Sequence, residues 1–386
     1  MTTPQRTKRI GSIDGLKGLA AVFILVFHYL LAIAPYGHIG FGSGVAKQNA
    51  EAVYMASFPY SILVSTPFAL YIFFALIAFI PALRYMKTGD AGFLYKQATV
   101  RYVRLMPPTL VTALLGYIGY ACFAGQHTAL VEAMRPLTGG GWLNALVYSD
   151  LSLGDALQAG LWKSLCLGDA RYNSPLWCMS IVLFGSYAVY AVLLTFGKLQ
   201  RRWIIYLILA FVCVAAGASR YLSFLAGIAA ADFSRQAEPG KHSEACALSC
   251  VALAILIAIF PAVLLPSFLD AYTMQGIACF FFLFGMVRSA ILEKMLGRSR
   301  TLKRLGKLSF GILLVQFPVL LYFSAWVYTS LVGCDWSYPG AATVSFLVSR
   351  PLVYVHSLAF YYAVEVPCGK LCNLIYALFA PAKQPS

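Results

Sequence analysis

Residues 16–36 read LKGLAAVFILVFHYLLAIAPY. Only Lys17 at the start and His28 within interrupt an apolar run that, at 1.5 Å per residue, is about 30 Å long. That is the thickness of a bilayer's hydrocarbon core, so the run reads as a spanning helix. The rest of the chain repeats the pattern. Of 386 residues, 60% are hydrophobic and 11% charged, where soluble domains carry roughly 25% charged residues. Too little polar surface remains to cover a soluble core, and mean hydropathy is +0.76. The sequence therefore specifies an all-α integral membrane protein that uses lipid as its solvent.

We read about ten spans: Leu16–Tyr36, Ser57–Leu83, Met106–Ala124, Ser174–Phe196, Trp203–Gly217, Tyr221–Phe233, Ala245–Leu265, Tyr272–Val287, Leu308–Leu331 and Gly340–Val364. The fifth, sixth and eighth are short, and the sixth reads as a partial or re-entrant helix. A last apolar stretch, Leu371–Phe379, is too short to span and reads as a surface segment. Lys and Arg favour the cytoplasmic side. With both termini cytoplasmic, all 29 basic residues fall on that side except Lys47, Arg135, Lys163, Arg171, Arg220 and Arg350. The net charge of +15 is spread in short runs between spans. That excludes a nucleic-acid patch and points to anionic lipid headgroups or a phosphate-bearing substrate.

The chain reads as one membrane domain over 1–386, with its core at about 10–370 and a long outside loop at about 125–173. No P-loop or Gly-x-Ser-x-Gly elbow is present. The cysteine pairs Cys246/Cys250 and Cys368/Cys372 lack a His or carboxylate to complete a metal set, so they read as packing residues and no metal is expected.

His28 lies about 16 Å along the helix from Lys17, near mid-bilayer, where ionisable groups are costly and usually functional. It reads either as a general base for a hydroxyl or as a His bonded to a neighbouring helix. Arg101 and Arg104, at i and i+3 before Pro107-Pro108, share a helix face and form either a phosphate clamp or ordinary interfacial anchors. Asp14 and Lys17, at i, i+3 before the first span, read as partners of each other or of the Arg cluster. Asp232 and Glu365 sit at membrane boundaries and read chiefly as partners of Arg. His38, His127 and His242 read as solvated loop residues, and His356 lies inside the tenth span.

Ile13-Asp14-Gly15-Leu16-Lys17-Gly18-Leu19-Ala20, running on to Phe27-His28, resembles the opening motif of the membrane acyltransferase-3 family. These are multi-spanning O-acyltransferases of surface polysaccharides and lipids. Arg101-Tyr102-Val103-Arg104 matches the family's Arg-x-x-Arg segment. Ser174-Pro175-Leu176-Trp177-Cys178-Met179-Ser180 resembles its Pro-Leu-Trp-Ser-Leu run. Leu305-Gly306-Lys307-Leu308-Ser309-Phe310 to Gln316-Phe317-Pro318 resembles its Leu-Gly-x-x-Ser-Tyr to His-x-Pro segment. This chain departs from the pattern in having Lys17 for Arg, Val182 where a Glu often stands, and Gln316 where a His is common.

The resemblance implies His28 and Asp14 as the catalytic residues. It also implies Lys17, Arg101 and Arg104 for the donor, and Trp177, Gln316 and Glu365 for the substrate. The donor would be acetyl-CoA or another acyl-CoA, with no permanently bound cofactor. The acceptor would be a glycan or lipid-linked glycan, reached from a bacterial inner membrane. Membrane lipids are partners, and a homo-oligomer is left open. Two rivals use the same residues differently: a transporter or flippase for a lipid-linked sugar, with His28 as coupling group, and an envelope scaffold without catalysis.

Overall fold

The structure, a computed structural model, describes residues 11–33, 66–138, 141–144, 146, 151–236, 243–260 and 269–379. His38, His242 and parts of the first, second and seventh expected spans lie outside these. Every regular element among the described residues is helical. They are α1 (Gly11–Ile33), α2 (Thr66–Thr88), α3 (Ala91–Thr138), a helical segment α4 (153–167), α5 (Trp177–Phe196), α6 (Arg202–Ala215) and α7 (Leu222–Gln236). There follow α8 (Ser243–Ile259), α9 (Ala271–Arg288), α10 (Ala290–Arg298), α11 (Arg300–Pro318), α12 (Ala325–Gly333), α13 (Tyr338–Phe360) and α14 (Val366–Phe379). The chain is an all-α integral membrane protein. Helix covers nearly all of the described part of each segment expected to span. Among the described residues seven helical stretches are long and apolar enough to cross a membrane: Gly11–Ile33, Phe68–Thr88, Ala91–Arg135, Ser174–Phe196, Ala271–Arg288, Arg300–Gly333 and Tyr338–Leu378. The fifth to seventh expected spans are the shorter helices α6, α7 and α8.

Two expectations about the ends of spans change. The segment 125–173 is largely helical and not a loop: α3 bends at Phe123 (φ −137°, ψ 21°) and continues to Thr138, and α4 follows. Leu371–Phe379 is not a separate surface piece, because α13 runs through a π turn at Tyr361–Glu365 into α14.

The chain divides into two compact units. The first takes the described parts of Met1–Val22, Ser65–Ala98 and Phe184–Ser309. In lipid no hydrophobic force draws helices together, so close backbone approach through small residues has to do so. Gly227 of α7 lies against the Ala75 backbone of α2, and Gly285 of α9 against Ala247 of α8. Phe74 and Phe224 stack at 5.4 Å between the same pair, α2 and α7. The opening motif follows the same rule. A Cβ on Gly18 would overlap the Leu302 carbonyl, and one on Gly306 would overlap the Asp14 carbonyl. The glycines in Asp14-Gly15-Leu16-Lys17-Gly18 thus let α1 sit directly on the backbone of α10 and α11. Gly18→Ala is expected to destabilise the protein by about 1–3 kcal/mol through overpacking, because the obstructing atom is backbone. A melting temperature in detergent equal to wild type would show that the contact is looser than this.

The second unit takes the described parts of Phe23–Val64, Thr99–Leu183 and Phe310–Ser386. Two tyrosines tie the end of α1 to the start of α13: Tyr29 donates to Ala342 O at 2.9 Å and Tyr338 to Ile33 O at 2.8 Å. Serines join α13 to the π turn Val319–Ser324 between α11 and α12. Ser324 donates to Ser349 Oγ at 2.7 Å, and Ser345 to Ser324 O at 2.9 Å.

Prolines shape this unit without breaking its helices. Pro107 and Pro108 remove the amides that would bond Val103 O and Arg104 O. The Cys368 thiol of α14 reaches both carbonyls, at 3.3 and 3.5 Å. Pro318 orphans Leu314 O in the same way, and Asn173 Nδ2 donates to it at 2.7 Å.

Candidate functional site

His28 is half-buried on α1, its ring edge-on to Phe317 at 4.8 Å. It lines a cavity of about 20 Å³ with Tyr29, Gln316, Ser324, Ser349 and Arg350. This is space for roughly one water. Gln316 spends its Nε2 on Leu313 O at 3.1 Å, while its buried Oε1 has no hydrogen-bond partner among the described residues. Arg350 lies over the Phe346 ring, 3.1 Å from the centroid, with Nε likewise unbonded. One small space therefore holds an imidazole, an amide oxygen, a guanidinium and two serine hydroxyls. An imidazole can take a proton from an alcohol, and a guanidinium can stabilise an oxyanion.

The sequence reasoning missed Arg350 as a member of this group. Its signal was present, since a lone Arg within a span is a costly placement. The cavity brings His28 and Gln316 together. It does not include Trp177, which opens α5 after the 3₁₀ turn Ser174–Leu176. Asp14 and Lys17 do not join His28 either. On one continuous helix the 14 residues from Asp14 to His28 amount to about 21 Å, so Asp14 cannot be the carboxylate that orients this imidazole.

A second group forms where α3 meets α14. Arg104 Nη1 donates to the backbone carbonyl of Glu365 at 3.3 Å, and Gly369 leaves room for its guanidinium. Glu365 is 8% exposed, ends the π turn, and has an Oε1 without a hydrogen bond among the described residues. Arg101 and Arg104 are half-buried, three residues apart on α3. His356 lies elsewhere, on the wall of an apolar cavity of about 430 Å³ with Tyr322 and Trp326.

A family model described as an acyltransferase domain matches residues 10–358. The chain belongs to the acyltransferase-3 family. The match spans α1 to α13, and so includes His28, Gln316 and Arg350 as well as Arg101 and Arg104. No curated protein and no solved structure matches the chain. As a family member the chain is a membrane acyltransferase. The glycines of its opening motif serve helix contact, and the His in the same motif opens into the small polar cavity.

Asp232, the other boundary acid, is structural. Arg202 grips it with two donors, Tyr206 adds a hydroxyl at 3.2 Å, and Arg202 also donates to Gly197 O at 2.9 Å.

Proposed function

We propose that this acyltransferase moves an acyl group, acetyl being the first candidate, from cytoplasmic acyl-CoA to a hydroxyl of an exported or surface glycan or glycolipid in a bacterial inner membrane. The observation that carries this reading is the joint lining of one cavity by His28, Gln316 and Arg350. His28 takes the proton of the acceptor hydroxyl as that oxygen attacks the thioester carbonyl. The Arg350 guanidinium faces the oxyanion, and the proton then passes to the leaving CoA thiolate. Arg101 and Arg104 hold the phosphates of the donor, on the side the basic residues mark as cytoplasmic.

The direct test is mass spectrometry of surface glycans and glycolipids from hosts with the gene, without it, and with His28→Ala. We expect an acyl increment that only the wild-type gene restores. An unchanged acyl content together with an altered amount of a lipid-linked sugar would favour the transporter. For the donor site, Arg101→Ala with Arg104→Ala is expected to raise the apparent donor KM at least tenfold and the acceptor KM much less. An unchanged donor KM would make both residues interfacial anchors.

A further inference from the structure

Between the bend of α3 and the chain entering α5 lies a second polar cavity, of about 50 Å³, lined by Tyr120, His127, Arg171, Tyr172, Asn173 and Tyr322 among others. The sequence suggested that His127 is a solvated loop residue. It is instead 7% exposed on α3, one ring nitrogen bonded to the Leu143 main chain and the other, Nε2, buried without a hydrogen bond among the described residues. Asn173 is 3% exposed. Its Nδ2 is committed to Leu314 O, the carbonyl that Pro318 leaves open, which fixes the amide plane. Its Oδ1 is also buried with no partner among the described residues.

An unbonded buried polar atom bears a desolvation cost that no partner offsets. Two residues that line one cavity each carry such an atom, and a ligand seated there satisfies them once the side chains turn to it. Asn173 Oδ1 only accepts, whereas His127 Nε2 donates or accepts according to tautomer. A hydroxyl meets both demands. Three tyrosines complete the walls, two of them fixed. Tyr322 fills the space opposite Gly119, and Tyr172 bonds Ser152 and Asp155, at 2.9 Å to Ser152 O and 3.1 Å to Asp155 Oδ2. Asp155 also pairs with Lys163 at 2.7 Å and Arg171 at 2.8 Å. The Lys163 hydrogen bond holds its carboxyl below the usual carboxylate range, with Tyr172 and Arg171 adding to the effect. Hydroxyl groups against a fixed amide, an imidazole and aromatic faces are the chemistry of sugar recognition.

The geometry points to a carbohydrate subsite in which one edge of a sugar ring donates a hydroxyl hydrogen bond to Asn173 Oδ1 and bonds His127 Nε2 with a second hydroxyl. The inference deepens the proposed function, since this would seat the acceptor glycan, and it rests on that reading only for its role. A cavity of this size admits the hydroxyl edge of one ring, or a few waters.

Two readouts separate the subsite from the reaction. The first is saturation-transfer NMR with methyl glucoside and methyl N-acetylglucosaminide on purified full-length protein. We expect a signal from at least one glycoside that His127→Leu or Asn173→Leu removes. Asn173→Leu also strips the bond to Leu314 O, so Ala124→Phe serves as a second variant. It keeps every polar group and fills the cavity, and it too should abolish the signal. No signal from wild type, or a signal that survives His127→Leu and Ala124→Phe in folded protein, overturns the subsite and leaves water as its occupant. The second readout is kinetic. His127→Leu should raise the acceptor KM at least tenfold while moving the donor KM less than twofold. Equal changes in both would overturn the subsite in favour of a structural His127. Glycoside binding without acyl transfer by wild type would uphold the subsite and reject the proposed function.

Discussion

His28→Ala is expected to lower acyl transfer by about 10²–10⁴-fold, the usual contribution of a positioned general base. The cavity beside His28 has room for little more than one water, so no bulk solvent stands ready to accept the proton in its place. The effect should fall on kcat, because the imidazole interacts with the transferred proton more strongly in the transition state than in the bound substrate. His28→Gln keeps a hydrogen-bonding group of similar reach and loses the basicity, so it should be nearly as inactive. Initial rates of thioester consumption with acceptor present would check both variants. A His28→Gln enzyme within tenfold of wild type would reduce His28 to a hydrogen-bonding residue between helices.

The largest expected loss of stability lies in the other unit. Asp232 is 2% exposed and held by Arg202. Asp232→Ala strands the guanidinium without its carboxylate, a change that costs about 3–5 kcal/mol in a fully buried pair and less here, where Arg202 is half-buried and keeps its bond to Gly197 O. Removing both charges together is far milder, because the desolvation cost of each ion disappears with it. Arg202→Met combined with Asp232→Leu should therefore recover most of the melting temperature that Asp232→Ala loses in detergent. Equal losses in the single and double variants would mean that the pair is not electrostatically isolated from solvent.

Hydropathy made the helical membrane class legible, because a period of about 20 apolar residues needs no tertiary information. It also located His28 and the two arginines, whose polarity is conspicuous in such surroundings. The short helices α6 to α8 were harder, since length alone does not say whether a 14-residue apolar helix crosses, and α6 is of that length. Proline misled in a specific way. Pro107-Pro108 marks the entry to the third expected span, yet α3 passes straight through, with the single S–H of Cys368 from the far end of the chain within reach of both carbonyls that the prolines leave open. Asn173 was invisible for the same reason. It sits one residue before a recognisable motif, and its role depends on a carbonyl 141 residues away. Arg350 entered the charge count as an exception to the basic-side rule, and that exception was its signal. The pairing of Asp14 with His28 in one site fails on helix geometry that arithmetic on the sequence already contains.

The π turn Val319–Ser324 supplies wall residues to three cavities. Leu320 and Ser324 face the His28 space, Tyr322 and Phe323 the large apolar one, and Leu321 and Tyr322 the polar one near His127. Such a turn amounts to an α-helix carrying one extra residue. Deleting one of the six would let ordinary winding close the gap, and because the extra residue is absorbed within the turn, the helix from there to Gly333 would keep its facing. The regrouping would fall inside the turn, on the residues between Val319 and Ser324 that set Tyr322 in the niche opposite Gly119. An exchange at Leu320 or Phe323 would disturb one wall and one at Tyr322 two, whereas a single-codon deletion would regroup the residues of the turn across all three. In this stretch the count of residues matters more than their identity.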